Sequence, residues 1–219
     1  MSDSGLVQIG NVSRRDALRR IALALTAVGS GSLDLASAQQ VHHAARGAST
    51  SGTYEPKFLK PHEYRTVGRL AELIVPADER GGSALDAGAP QFVDVLCSEN
   101  EKLGRIYTGG LGWFDAWMRH HYDTTFIDAT EQQQTALLDA IVAAEREKKK
   151  ASEDDFDEYF EVDSELGPGV RFLDWVRKMS VDAYYSSEIG IKDMGYKGNG
   201  AYSDYTVPQE ALDFIKPLL

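Results

Sequence analysis

Two adjacent histidines are the side chains in this sequence that could most directly support chemistry. His120 and His121 follow a predicted helix that carries Asp115, and Asp123 comes just after them. A metal site on one helix normally uses His at positions i and i+4, or Glu and His at i and i+3. Adjacent residues point about 100° apart on a helix, so these two histidines cannot easily share one ion. We therefore expect ordinary surface or capping histidines here.

The remaining reactive groups also predict no catalytic, metal or cofactor site. Cys97 is the only cysteine and lies in an apolar stretch, so we expect a small buried residue and not a nucleophile. His42 and His43 lie among small polar residues without a third ligand, so solvated side chains are expected. The acidic residues between 154 and 163 lack the spacing of a calcium loop. Glycine motifs for phosphate or dinucleotide binding are missing from the sequence.

The composition excludes several classes of protein. The chain has 219 residues, with 34 Asp and Glu against 23 Lys and Arg, which gives a net charge of −11. An acidic surface repels phosphate backbones, so we expect no nucleic-acid partner. One cysteine excludes a disulfide scaffold, so the core itself must hold the fold together.

Residues 1–38 are predicted to be a cleaved export signal. Arg14 and Arg15 are followed by a short apolar run at 21–28, and then by small residues that end with Ala36, Ser37 and Ala38. This order is typical of a leader peptide, and paired arginines favour the twin-arginine route. A membrane anchor or an amphipathic helix is the alternative, but a spanning helix needs about 20 apolar residues. We therefore expect a periplasmic protein.

The mature chain is predicted to be all-α, an irregular bundle of five to six helices with two irregular ends. Residues 39–60 are expected to form a flexible, extended N-terminal arm, because they are mostly small and polar. The helical domain is expected to cover 61–219, and a capping box of Thr130 and Gln133 is expected to begin one of its helices. Helices are predicted at 61–75, at 90 to about 101, after the Gly109–Gly110 pair to about 118, at 131–148 and at about 169–184.

From about residue 186 the chain becomes rich in Gly and Tyr, which predicts an extended tail without a core of its own. Such a tail can cover the chain's own helices or those of a partner. Large aromatic side chains are common at protein interfaces, because they bring much contact area at low entropic cost. The candidate interface residues are Trp113, Trp117, Tyr184, Tyr185, Tyr196 and Tyr202.

Several short motifs follow one another in an order that resembles a known family. The motifs are LAELIVPAD at 70–78, the loop and helix at 82–94, the segment 107–113, Phe126 with the cap at 130–133, the segment 172–186, and GYKG at 195–198. Together they resemble the gluconate 2-dehydrogenase subunit 3 family over about residues 62–200. The acidic segment 146–165 is longer than the resemblance leads us to expect.

The resemblance implies a non-catalytic small subunit that contains no cofactor. Its partner would be a large subunit of the glucose-methanol-choline type, which holds FAD and oxidises a sugar or polyol, and a c-type cytochrome subunit would accept the electrons. The small subunit would supply the export signal, assist maturation of the flavoprotein in a chaperone-like way, and meet the outer face of the inner membrane only through the complex. A stand-alone periplasmic metal-assisted enzyme acting on oxidised sugars and a solitary adaptor domain are the alternatives.

Overall fold

The computed structural model describes residues 35–48, 54–79, 81–151, 164–196, 207 and 209–216, and every regular element among them is a helix. The predicted all-α class is therefore confirmed. Six of the described helices have eleven or more residues, and two are short. The helices are α1 (Leu35–Ala48), α2 (Pro61–Ile74), α3 (Ala89–Glu99), α4 (Glu101–Tyr122), α5 (Glu131–Ala151), α6 (Gly167–Tyr185), α7 (Glu188–Asp193) and α8 (Gln209–Ile215).

Local signals in the sequence explain where several helices begin. Pro61 and Pro90 occupy first-turn positions of α2 and α3, where the missing N–H costs no hydrogen bond. At the start of α5, the backbone N–H of Thr130 donates to Gln133 Oε1 over 3.0 Å, and the N–H of Gln133 donates to Thr130 Oγ1 over 3.3 Å. The capping box is therefore confirmed.

The start of α4 differs from the prediction. The helix begins at Glu101, where the side chain of Asn100 accepts a hydrogen bond from the N–H of Leu103. The Gly109–Gly110 pair therefore lies in the middle of the helix and does not begin it. A Cβ on Gly110 would lie 2.0 Å from Cγ of Phe172, so this glycine allows α6 to approach closely.

The N-terminal arm also differs from the prediction, because part of it is helical and packed. In α1 the buried residues Ala38, Val41, His42 and Ala45 follow the i, i+3, i+4, i+7 spacing of one helix face. His42 is 8% exposed, so the prediction of a solvated side chain was wrong for this residue. Only 54–60 is non-helical within the described part of the arm.

The C-terminal tail is likewise not wholly extended. Ser187 caps α7 by accepting a hydrogen bond from the N–H of Gly190 over 3.1 Å. A Cβ on Gly190 would lie 2.1 Å from the carbonyl oxygen of Tyr184, so only glycine lets α7 fold back against the end of α6. Residues 209–215 form the second short helix, α8.

Helix α6 is the centre of the fold, since it contacts every helix from α1 to α5 as well as α7. The ring of Phe172 packs edge-on against Tyr107 and Phe114 of α4, with ring centroids 5.5 and 5.4 Å apart. Trp113, further along α4, lies instead over Gly169, which precedes Phe172 in α6. The two helices therefore run antiparallel. No helix in the described ranges is both long enough and apolar enough to cross a bilayer.

Candidate partner interface

One cluster of aromatic side chains lies at the C-terminal end of α4, and we call it the Trp117 cluster. The rings of Trp117 and His121 are stacked with their centroids 3.7 Å apart, and the ring of Tyr122 lies 5.9 Å from that of Trp117. Nδ1–H of His121 donates to the carbonyl oxygen of Trp117 over 2.9 Å. The indole N–H of Trp117 is buried and has no hydrogen-bond partner among the described residues. His121 thus covers the indole face, and Tyr122 is the large apolar side chain that the cluster exposes.

A second group of exposed apolar side chains lies at the C-terminal end of α6 and after α7, and we call it the C-terminal surface. It consists of Val181, Tyr185, Met194 and Tyr196, which are 40–50% exposed. Val181 and Tyr185 are four residues apart and therefore lie on one face of α6. Since α4 and α6 are antiparallel, this surface and the Trp117 cluster lie at opposite ends of the helix pair.

The predicted interface residues fall into different environments. Trp113 is half-buried against Phe114 and packs over Gly169, so it belongs to the contact between α4 and α6. Tyr184 is only 4% exposed, which is a correction to its place among the surface candidates. It points inward because Ala183 and Tyr184 continue the buried face of α6, whereas Tyr185 points out.

The described residues do not cover every prediction. Tyr202 and the two arginines Arg14 and Arg15 lie outside them, as does most of the acidic segment. Ala36 lies in the first turns of α1, and Ala38 is 1% exposed.

A buried carboxylate fixes the non-helical segment 54–60. Asp94 of α3 is 0% exposed and accepts four hydrogen bonds. The Tyr54 hydroxyl and the Lys57 N–H donate to Oδ2 over 2.6 and 2.7 Å, and the N–H groups of Phe58 and Leu59 donate to Oδ1 over 3.0 and 2.7 Å. Burial, strengthened by the hydrogen bond to this carboxylate, raises the pKa of Tyr54 well above its usual range. Three backbone N–H groups and one hydroxyl thereby satisfy this buried carboxyl group, as a buried polar group requires.

A histidine–aspartate pair joins α2 to α4. Nε2 of His62 lies 2.6 Å from Oδ2 of Asp115, while Oδ1 of Asp115 accepts a hydrogen bond from the N–H of Phe126 over 3.0 Å. A guanidinium nitrogen of Arg119 lies 3.7 Å from the same Oδ2. Both carboxylate oxygens thus have partners from other elements, so Asp115 ties α2, α4 and the turn before α5 together.

The two adjacent histidines lie in different surroundings. His121 is stacked on Trp117, and His120 is exposed beside it. Among the described residues, no group of three or more His, Cys, Asp or Glu side chains is placed to hold a metal ion. The candidate interface instead consists of the exposed apolar side chains described above.

Part of the C-terminal surface and most of the buried polar contacts could not be predicted from the sequence. Val181 and Met194 carry no signal beyond their hydrophobicity. A signal did exist for the Trp117 cluster, because Trp113, Trp117 and His121 follow one another at intervals of four and so share one helix face. The role of Asp94 could not be predicted, because its partners are 35–40 residues away along the chain.

Comparison with protein families decides the relationship of the chain. The model of the family described as gluconate 2-dehydrogenase subunit 3 matches residues 61–202, which is 142 of the 219 residues. The chain belongs to this family. No curated protein and no solved structure gave a match.

In this member of the gluconate 2-dehydrogenase subunit 3 family, the matched region begins at the start of a helix. It begins at Pro61, the first residue of α2, and includes α2 to α7 together with the Trp117 cluster and the C-terminal surface. Helix α1 and the segment held by Asp94 lie outside it. The family description names a subunit of gluconate 2-dehydrogenase, so the chain is related to components of a dehydrogenase complex.

Proposed function

We propose that this chain is the non-catalytic small subunit of a periplasmic, flavin-dependent sugar or polyol dehydrogenase. The match to the gluconate 2-dehydrogenase subunit 3 family over 61–202 is the observation that carries the proposal. The catalytic partner is a glucose-methanol-choline type large subunit that holds FAD. A c-type cytochrome subunit is a further partner, and the small subunit reaches the membrane only through this complex.

The exposed side chains support a binding role. The C-terminal surface presents four of the large apolar side chains that are exposed in the described part of this acidic protein. Interfaces that bind stably are enriched in tyrosine and methionine at their centres. We propose that the large subunit covers this surface in a heterodimer, and that Tyr202 and the Trp117 cluster extend the contact.

The sequence of the leader supports a role in export. Arg14 and Arg15 precede a short apolar run, as in signals read by the twin-arginine route. This route carries folded proteins, so the small subunit would take the flavoprotein with it as a passenger after FAD has been inserted. A helical subunit that binds the flavoprotein before export would also assist its maturation.

Co-purification tests the subunit role. The tagged chain is recovered from its native periplasm, and the absorbance spectrum of the eluate is recorded. We expect a larger partner with a flavin spectrum. A colourless chain that elutes alone would contradict the proposal and favour a solitary adaptor, while stoichiometric metal on the isolated chain would favour the metal-assisted enzyme and return attention to His120 and His121.

Replacement of Arg14 and Arg15 by lysine tests the export role. The substitutions keep the positive charge, so a loss of export would reflect recognition of the arginine pair and not simple electrostatics. We expect the chain and its flavoprotein partner to remain in the cytoplasm together. Fractionation followed by immunodetection measures this, and normal periplasmic levels of both proteins would contradict the export role.

A further inference from the structure

The residues before the predicted cleavage bond belong to a helix that is packed on the core. The small residues Ala36 and Ala38 mark a bond after Ala38. In the structure, Leu35–Ala48 is helical throughout, and the side chain of Ala38 is 1% exposed. The bond thus lies within α1 and not in an accessible extended segment.

Several buried contacts hold α1 in place. The face formed by Ala38, Val41, His42 and Ala45 packs on α3 and α6. The ring of His42 lies 5.0 Å from that of Phe92, and its Nε2 lies 2.8 Å from the carbonyl oxygen of Ala183. Since a carbonyl oxygen only accepts, Nε2 carries the proton and donates. It thereby satisfies a carbonyl of the last turn of α6, where helical partners run out.

A peptidase cannot act on this bond while α1 is docked. Proteases commonly bind the substrate backbone in extended form, as an added strand whose alternate side chains enter pockets. In α1 the backbone carbonyls of Ala36, Ser37 and Ala38 are already paired within the helix, and the side chain of Ala38 is turned toward the core. Cleavage must then wait for local unfolding, and its rate follows the fraction of molecules in which the helix is open.

We propose that docking of α1 shields the bond after Ala38, so that the leader stays attached to the folded chain and is removed only when α1 leaves the core. This inference rests on the export signal in the proposed function. It adds a control step to that signal: the time of leader removal depends on the state of α1. Removal is then coupled to any event that displaces α1, including assembly with a partner.

Digestion with purified leader peptidase in detergent tests the proposal directly. The substrates are the full folded chain and a synthetic peptide that covers residues 14–48 and so keeps the paired arginines and the whole apolar run, and intact mass identifies the cleaved bond. We expect the peptide to be cut after Ala38 and the folded chain to be cut at least about a hundredfold more slowly. In denaturant that unfolds the chain but spares the peptidase, the two rates should converge.

The outcomes separate this inference from the proposed function. Equal rates for the peptide and the folded chain would overturn the shielding while leaving the cleavage signal intact. A peptide that is not cut after Ala38 would overturn both the predicted cleavage site and the inference that depends on it. Rapid cutting of the peptide together with slow cutting of the folded chain supports both.

Variants on the two faces of α1 sharpen the result. His42→Ala removes the hydrogen bond to Ala183 and should raise the cleavage rate of the folded chain by about tenfold. Ala45→Glu forces a charge into the packed face seven residues beyond the bond, and it should bring the rate close to that of the peptide. His43→Ala on the exposed face is the matched control and should leave the cleavage rate unchanged.

Peptides with the same substitutions correct for direct effects on peptidase recognition. Equal folded-chain cleavage rates for His42→Ala and His43→Ala would contradict the proposal.

Discussion

The N-terminal segment (35–48 with 54–60) and the C-terminal surface differ in how far their side chains are exposed to solvent, although His42 of the first and Tyr185 of the second both lie at the last turn of α6. The N-terminal segment turns its packed side chains inward and satisfies two buried polar sites, at Asp94 and at the carbonyl of Ala183. The C-terminal surface leaves Tyr185, Met194 and Tyr196 between 40% and 50% exposed.

This difference separates a part that stabilises the chain from a part that is available to a partner. Buried polar groups are costly when one member is lost, so the N-terminal segment should be sensitive to single substitutions. Exposed apolar side chains contribute little to the stability of an isolated chain but much to an interface. Single substitutions should therefore lower the free energy of unfolding more in the N-terminal segment than at the C-terminal surface.

Within the N-terminal segment and the groups that hold it, the largest effect is expected from Asp94→Asn. The substitution preserves shape but replaces one acceptor oxygen by an NH₂ group that must face N–H donors. We expect a loss of about 3 kcal/mol in the free energy of unfolding, measured as a shift of the urea midpoint. Tyr54→Phe removes only one of the four donors and leaves the three backbone N–H groups in place, so a smaller loss of about 1 kcal/mol is expected.

Asp139→Asn is the control for the Asp94 substitution, since Asp139 lies exposed on α5. It should change stability by no more than about 0.5 kcal/mol. Equal urea midpoints for the Asp94 and Asp139 variants would show that the carboxylate does not hold the N-terminal segment.

An intermediate effect with a distinct pH dependence is expected from His42→Ala. Burial lowers the pKa of His42 below its ordinary value of 6.5, although the bond to Ala183 partly opposes the shift. As pH falls below 6.5, the unfolded chain takes up a proton at His42 while the folded chain does not, so this contribution to stability is present at neutral pH and lost on acidification.

Unfolding of the wild-type chain and of His42→Ala at about pH 7.5 and at about pH 5 measures this contribution. We expect a difference of about 1 kcal/mol at the higher pH that becomes smaller at the lower pH. His43→Ala should match the wild-type chain at both values. A difference that grows on acidification would show that His42 is protonated in the folded state.

The smallest effect on stability is expected at the C-terminal surface. Tyr185→Ala and Tyr196→Ala should each change the free energy of unfolding by no more than about 0.5 kcal/mol, because both rings are largely exposed. Co-purification of the flavoprotein partner should nevertheless fall strongly with Tyr185→Ala. Tyr184→Ala provides the contrast, since loss of a buried ring should lower stability by several kcal/mol.

Unchanged recovery of the partner with Tyr185→Ala and Tyr196→Ala would remove the C-terminal surface from the proposed interface. The same measurement with Tyr122→Ala would then ask whether the Trp117 cluster takes its place. A strong effect there alone would move the partner to the other end of α4 and α6.

Sequence reasoning succeeded where the signal is local. Proline at the first turns of α2 and α3 and the Thr130–Gln133 box begin helices through groups within one turn, so their effect does not depend on the rest of the fold. The burial of Cys97 followed in the same way from its apolar neighbours.

Sequence reasoning failed where the deciding contact is distant. The Gly109–Gly110 pair was expected to precede a helix, yet it lies mid-helix, and Phe172, 62 residues after Gly110, fills the space of the missing side chain. Helix α1 was expected to be a flexible arm, since its packed face consists mainly of small residues and a histidine whose partner lies 141 residues away. The role of such residues becomes visible only when the helices on which they pack, here α3 and α6, are known.

The buried thiol of Cys97 has a practical consequence. Its side chain is 2% exposed, and burial raises its pKa well above that of a free thiol, so the nucleophilic thiolate is suppressed in the folded chain. Since the sequence has one cysteine, a thiol-specific reagent modifies each molecule once, and only after α3 has left the core. The fraction of molecules modified at Cys97 therefore reports the fraction that has unfolded. This measurement needs no introduced label, and mass spectrometry can make it in a mixture with any partner.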